Sequence, residues 1–222
     1  MGQTISLTAK DGNKFSAYRA DPAGKPKGAV VVIQEIFGVN THIRSVADRY
    51  AELGYVAVAP AVFDRAEKNF EVGYDPESVA KGRATRAKIS IDGLVADTQA
   101  AIDFAKQFGK VAVVGYCMGG SVAFLAATRG SGAACTVGYY GGQIAQFSEE
   151  KPRVPCMLHF GDQDQSIPLS DVEKIKKAQP ELPVFIYHAG HGFNCDERAA
   201  FSPASAQIAF ARTQDFIQKH VG

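Results

Sequence analysis

The chain has 222 residues, 46% hydrophobic and 21% charged, with 24 Lys plus Arg against 23 Asp plus Glu. So even a balance supplies no positive field for a phosphate backbone or an anionic bilayer, which excludes nucleic acid and membrane surfaces as expected partners. The length suits one α/β domain over residues 1–222, no signal-peptide pattern is visible, and no apolar run approaches the ~20 residues of a membrane span.

Met1 to Ser6 formally fits an N-myristoylation pattern, but its alternation reads as the start of a strand. Thr4 to Ala9 and Lys14 to Arg19 alternate around Asp11-Gly12-Asn13, predicting an antiparallel hairpin at a sheet edge. Ala29 to Ile33 is a continuous β-branched run of the kind buried on both faces of a parallel sheet. A helix follows, with Ile43, Val46, Ala47, Tyr50 and Leu53 on one face, Asn40 or Thr41 as its cap and Gly54 as its stop. Tyr55 to Ala59 is the next strand, so these three elements form a βαβ unit.

Ala61 to Pro76 is polar and irregular. Helical periodicity resumes near Glu77 and runs to Phe108, with Gly93 as the expected break and Gly109 as the stop. Later strands are expected at Val111 to Val114, Ala133 to Tyr140, Val154 to Phe160 and Val184 to Tyr187. Ser170 and Glu173 read as a capping box for a short helix ended by Pro180, and Ser202-Pro203 opens a final helix.

The stretch from Val111 to Ala127 joins a buried strand to a small-residue helix through Gly115-Tyr116-Cys117-Met118-Gly119. A G-x-nucleophile-x-G turn between strand and helix is an elbow that presents its central side chain on a sharp bend. Cys117 is then the candidate nucleophile. The other cysteines, Cys135, Cys156 and Cys195, have no metal-ligand spacing, and free thiols in a reducing, cytoplasmic setting are expected. Neither a metal site nor a cofactor motif is apparent, and His42, His159, His188 and His220 read as surface or core histidines.

Ligands of open α/β sheets gather where parallel strands end. Strand ends here carry Glu35, Cys117, Asp164 and His191, and nucleophile, acid and histidine follow one another in the order of the α/β-hydrolases. Together with Gln34-Glu35-Ile36-Phe37-Gly38-Val39-Asn40, Val137-Gly138-Tyr139-Tyr140-Gly141 and Ala189-Gly190-His191-Gly192-Phe193, these stretches make the chain resemble the dienelactone hydrolase family end to end. That resemblance implies an α/β-hydrolase fold in three layers, its mostly parallel sheet carrying an antiparallel N-terminal hairpin at one edge. It also implies Cys117 as nucleophile, His191 as base, Asp164 as the residue orienting that base, and Glu35 hydrogen-bonded to the resting thiol. Asp162 competes with Asp164 for the acidic role.

The elbow geometry assigns the oxyanion hole to the backbone N–H of Met118, with a second donor, Ile36, from the first strand-to-helix loop. Candidate substrate contacts are Phe37, Tyr139, Arg83, Arg86 and Arg198. Dienelactone-acting relatives hold the substrate carboxylate with two arginines, but Cys195 and Val79 stand at those positions here. The expected activity is a cofactor-free opening of an ester or lactone through a thioester, in a monomer acting on a small molecule. A carboxylesterase or thioesterase of different range, or a non-catalytic homologue that binds small molecules, is the alternative.

Overall fold

The computed structural model describes residues 2–222; residue 1, with which the acylation pattern begins, lies outside them. β1 (Gln3–Thr8) and β2 (Lys14–Ala20) form the expected hairpin, with Thr8 opposite Lys14. β3 (Ala29–Ile33), β4 (Val56–Pro60), β5 (Val111–Tyr116), β6 (Ala133–Tyr139), β7 (Cys156–Gly161) and β8 (Val184–Tyr187) complete the sheet. Among the described residues its eight strands run in the order β1-β2-β4-β3-β5-β6-β7-β8. β2 pairs antiparallel with β4, and every pairing from β4 through β3 to β8 is parallel.

The residues explain this arrangement. All of β3 and all of β5 are buried, as uniformly apolar strands covered by helices on both faces must be. One hydrophobic cluster combines α1 (Thr41–Glu52) and α6 (Pro203–His220) with one face of the sheet, through Ile43, Val46, Tyr50, Ala209 and Ile217. A second lies on the other face, where α3 (Ile91–Ala105) brings Leu94, Ala101 and Ile102 against Val31 and Val113. α1 is capped by Asn40, whose side chain accepts from the Ile43 N–H at 3.1 Å, and is followed by Gly54 at φ +97°.

Two expectations differ from the structure. The helical stretch before β5 is broken at residues 88–90, not at Gly93, giving α2 (Pro76–Ala87) and α3. Ser90 is the cause: its hydroxyl accepts from the Gly93 N–H at 3.0 Å and starts a new helix, with Gly93 in its first turn. Likewise, Ser170 does not cap α5 (Leu169–Ala178), whose N-cap is Pro168. Upstream, the Asp164 carboxylate takes the N–H groups of Ser166 and Ile167 at 2.8 and 3.1 Å, fixing the loop so that the helix begins before Ser170.

Gly38 forms an isolated bridge with Glu71, which ties the irregular 61–76 stretch to the end of β3. The strand order reverses around β3 and β5, leaving a crevice between the loops that follow them. Glu35 and Cys117 stand at that crevice.

Candidate active site

Cys117 sits between β5 and α4 (Met118–Arg129) at φ 55° and ψ −117°. An L-residue at positive φ costs about 1–2 kcal/mol, and the surroundings hold it there. Its N–H donates to the Tyr139 carbonyl at 3.0 Å, and its carbonyl accepts from the Gly120 N–H at 3.0 Å. The neighbouring glycines permit the turn, because a Cβ on Gly115 would strike the Gly119 carbonyl and one on Gly119 would strike the carbonyls of Ile33 and Gln34.

The loops after β7 and β8 bring Asp164 and His191 to this thiol. Cys117 Sγ lies 3.1 Å from His191 Nε2, and His191 Nδ1 lies 2.7 Å from Asp164 Oδ2. The two competing acids separate cleanly, since Asp162 Oδ2 is 3.1 Å from Nδ1 of the exposed His188. Burial pulls the His191 pKa down, but the charge of Cys117 and the hydrogen bonds with Asp164 and Cys117 outweigh it and raise the value to about 10. The imidazole therefore keeps a proton readily and can pass it within the site.

Met118 opens α4, so its N–H has no partner within the helix, and the Cys117 side chain does not cap it. Ile36 and Met118 both line a cavity of about 300 Å³ together with Cys117 and His191. Phe37, Arg83, Arg86 and Arg198 line it as well, as does Val79 from α2. Tyr139, an expected substrate contact, does not. It is fully buried behind the elbow, its hydroxyl 2.6 Å from Thr213 Oγ1 and its ring 4.5 Å from that of His159, because the strand pleat turns it into the α6-side core.

Glu35 also differs from expectation. It is 1% exposed, and Arg198 Nη1 donates to its Oε1 at 3.0 Å, while the thiol faces His191. A buried carboxylate needs a charged partner more than a neutral thiol can satisfy, and Arg198 supplies it, its guanidinium lying over the rings of Phe37 and Tyr74 at 5.5 and 6.0 Å. Burial works against the Arg198 cation, yet the charges of Glu35, Cys117 and Tyr140 leave its pKa raised. Cys195 is buried, with its Sγ 3.4 Å from the Tyr74 hydroxyl, and burial pushes its thiol up to about 12. Burial likewise moves Cys135 and Cys156 to about 12.

Sequence patterns gave little warning of a chain of contacts along one cavity wall. Arg86 Nη2 donates to Gln143 Oε1 at 3.3 Å, and the Gln143 N–H donates to Ser121 Oγ at 3.0 Å. Gln143 follows two glycines in a loop that has no motif of its own, so only the fold reveals its role. Burial lowers the Arg86 pKa, and no carboxylate pairs with it among the described residues. Among those residues there is no cluster of His, Cys, Asp and Glu able to hold a metal, and no helix long and apolar enough to cross a membrane.

A nucleophile elbow and a His-acid pair at the carboxyl ends of a sheet ordered in this way define an α/β-hydrolase. The profile of the Dienelactone hydrolase family matches residues 15–221. A carboxymethylenebutenolidase of Pseudomonas putida is 34% identical over 96% of this chain and 94% of its own. A protein of Synechocystis sp., assigned provisionally to the same activity, is 34% identical over 97% of this chain and 96% of its own. A crystal structure from Klebsiella pneumoniae, provisionally a dienelactone hydrolase, superposes with a TM-score of 0.84 at 26% identity, covering 97% of this chain and 99% of that one. The chain belongs to the dienelactone hydrolase family.

Proposed function

We propose that this hydrolase opens a lactone or carboxylic ester through a thioester on Cys117. The observation that carries the reading is the continuous line from Cys117 Sγ through both nitrogens of His191 to Asp164, with contacts of 3.1 and 2.7 Å. In this mechanism the Cys117 thiol proton already resides on His191 Nε2 when Sγ attacks the acyl carbon, and Asp164 holds the imidazolium in place. The negative charge that develops on the carbonyl oxygen is met by the N–H groups of Ile36 and Met118; one such donor is typically worth about 3–4 kcal/mol. Collapse expels the leaving oxygen, which takes the proton from His191. A lactone's leaving group stays tethered to the acyl chain. Water, deprotonated by His191, then cleaves the thioester and frees Cys117.

Substrate selection belongs to the arginines. Val79 occupies one of the positions where family members acting on dienelactone carry arginine, and it lines the cavity as an apolar wall. Arg86 is partly buried there without an anionic partner, an arrangement that is unfavourable until a ligand brings negative charge. We therefore assign Arg86, assisted by Arg83 and Arg198, to a carboxylate on the substrate. A panel of lactones and esters with and without a carboxylate tests this. Arg86→Met is expected to raise KM about tenfold or more for the carboxylated compounds, the range for losing a charged hydrogen bond, and to leave neutral esters unchanged. Equal turnover of both sets by wild type and variant would instead assign a carboxylesterase range.

A further inference from the structure

The wall that joins Arg86 to α4 takes no part in the reaction described above, yet Gln143 and Ser121 both line the cavity beside Cys117. The backbone fixes their placement. Gly141 and Gly142 carry the chain from the end of β6 across the first turn of α4, so closely that a Cβ on Gly141 would fall 2.8 Å from the Ser121 nitrogen and 2.9 Å from the Gly120 carbonyl carbon. Gln143 comes next and therefore lands on Ser121, about one helical turn beyond the nucleophile.

The direction of each contact decides what this wall offers a ligand. Arg86 can only donate, so the atom of Gln143 that it meets at 3.3 Å is the carboxamide oxygen, and the Nε2 protons are left over. The Gln143 N–H donates to Ser121 Oγ at 3.0 Å, which uses a lone pair of the hydroxyl and leaves its proton. Neither the Nε2 protons of Gln143 nor the hydroxyl proton of Ser121 has an acceptor among the described residues, although Ser121 is only 1% exposed. Arg86 itself spends Nη1 on the Ile89 carbonyl at 2.6 Å, and its buried Nε has no partner there. Three neighbouring side chains thus carry unmatched donors, one of them with a full positive charge, and donors left unmatched in a cavity are unfavourable until a ligand meets them.

We propose that Gln143 and Ser121 are specificity-determining residues which, with Arg86, form a subsite for a carboxylate carried by the acyl group of the substrate. The Nε2–H of Gln143 and the O–H of Ser121 donate to its oxygens, while the Gln143 carboxamide oxygen holds the guanidinium in position. A carboxylate has about four lone-pair sites and no proton, the complement of such a set. The acyl group is the part of the substrate that stays beside Cys117 after the leaving group departs, so this wall holds its charge through both steps. The inference rests on the assignment of Arg86 given above and names the residues that complete it.

The test is a selectivity ratio, kcat/KM on 4-nitrophenyl hydrogen succinate over kcat/KM on 4-nitrophenyl butyrate, measured for wild type, Arg86→Met, Gln143→Met, Gln143→Glu and Ser121→Ala, with Tm recorded for each. Ser121→Ala and Gln143→Met are each expected to lower the ratio about tenfold or more, the range for one hydrogen bond to a charged group. Gln143→Glu is expected to lower it further, because its carboxylate pairs with Arg86 and neutralises the charge that the substrate needs. That order separates recognition from support, since a residue that only holds the loop would tolerate the isosteric glutamate better than methionine. A ratio within about twofold of wild type in Ser121→Ala, or in both Gln143 variants, while Arg86→Met collapses it, would strike that residue from the subsite and leave the assignment of Arg86 standing. A milder effect of Gln143→Glu than of Gln143→Met would likewise overturn the role of Gln143. A ratio unmoved by Arg86→Met would overturn the assignment of Arg86, and this inference with it.

Discussion

Asp162 and Asp164 are two residues apart on one loop, and each meets a different histidine: Asp162 that of exposed His188, Asp164 that of His191. In triads of this kind, loss of the acid leaves the geometry intact but removes orientation of the base, typically costing ~10⁴-fold in kcat. Asp164→Asn is expected to lose about a thousandfold or more with the fold retained, and Asp162→Asn to stay within about twofold; equal losses in steady-state kinetics would contradict the assignment. Cys117, Asp164 and His191 were legible in the sequence because chain order and strand-end position are local signals. The partner of Glu35 was not, because Arg198 reaches it from 163 residues away and only the fold brings them together. The orientation of Tyr139 was hidden for a related reason: side chains alternate along a strand, and a shift of one residue separates the site from the core.

At the scale of elements, buried parallel strands were readable because uniform β-branched runs such as Ala29–Ile33 have few other folded uses. Helix starts were harder to read, since Ser, Gly and Pro each carry more than one signal. Gly93 looked like a break, yet it is the residue whose N–H the Ser90 hydroxyl accepts. Ser90→Ala is therefore expected to cost about 1 kcal/mol of folding stability, the usual value of an N-cap, with kcat/KM unchanged because α3 does not line the cavity. Chemical denaturation measures the first and steady-state kinetics the second. A loss of activity without loss of stability would mean that α3 communicates with the site in a way its packing does not explain. The elbow tolerates less: Gly119→Ala brings a Cβ against two backbone carbonyls, those of Ile33 and Gln34.

For the whole molecule, two buried histidines with opposite shifts frame the pH range of stability. Burial lowers His159 from 6.5 to about 3. The unfolded chain therefore takes up a proton there before the native state does, and stability falls as pH drops from about 6.5 towards 3. His191 is raised to about 10, so its contribution is fully present below about 6.5 and is lost as pH rises through about 10. Tm measured against pH is expected to peak near neutrality, and replacing His191 with Gln is expected to flatten the alkaline limb only; an unchanged limb would show that His191 does not carry that charge. The proposed reaction turns on one intermediate, an acyl group on the Cys117 sulfur. Intact-protein mass spectrometry after rapid mixing with an activated ester tests it directly. The account predicts a mass gain of one acyl group, mapped to Cys117, appearing with the burst of leaving group and absent from Cys117→Ala. An adduct on another residue, or a burst that survives in Cys117→Ala, would contradict it.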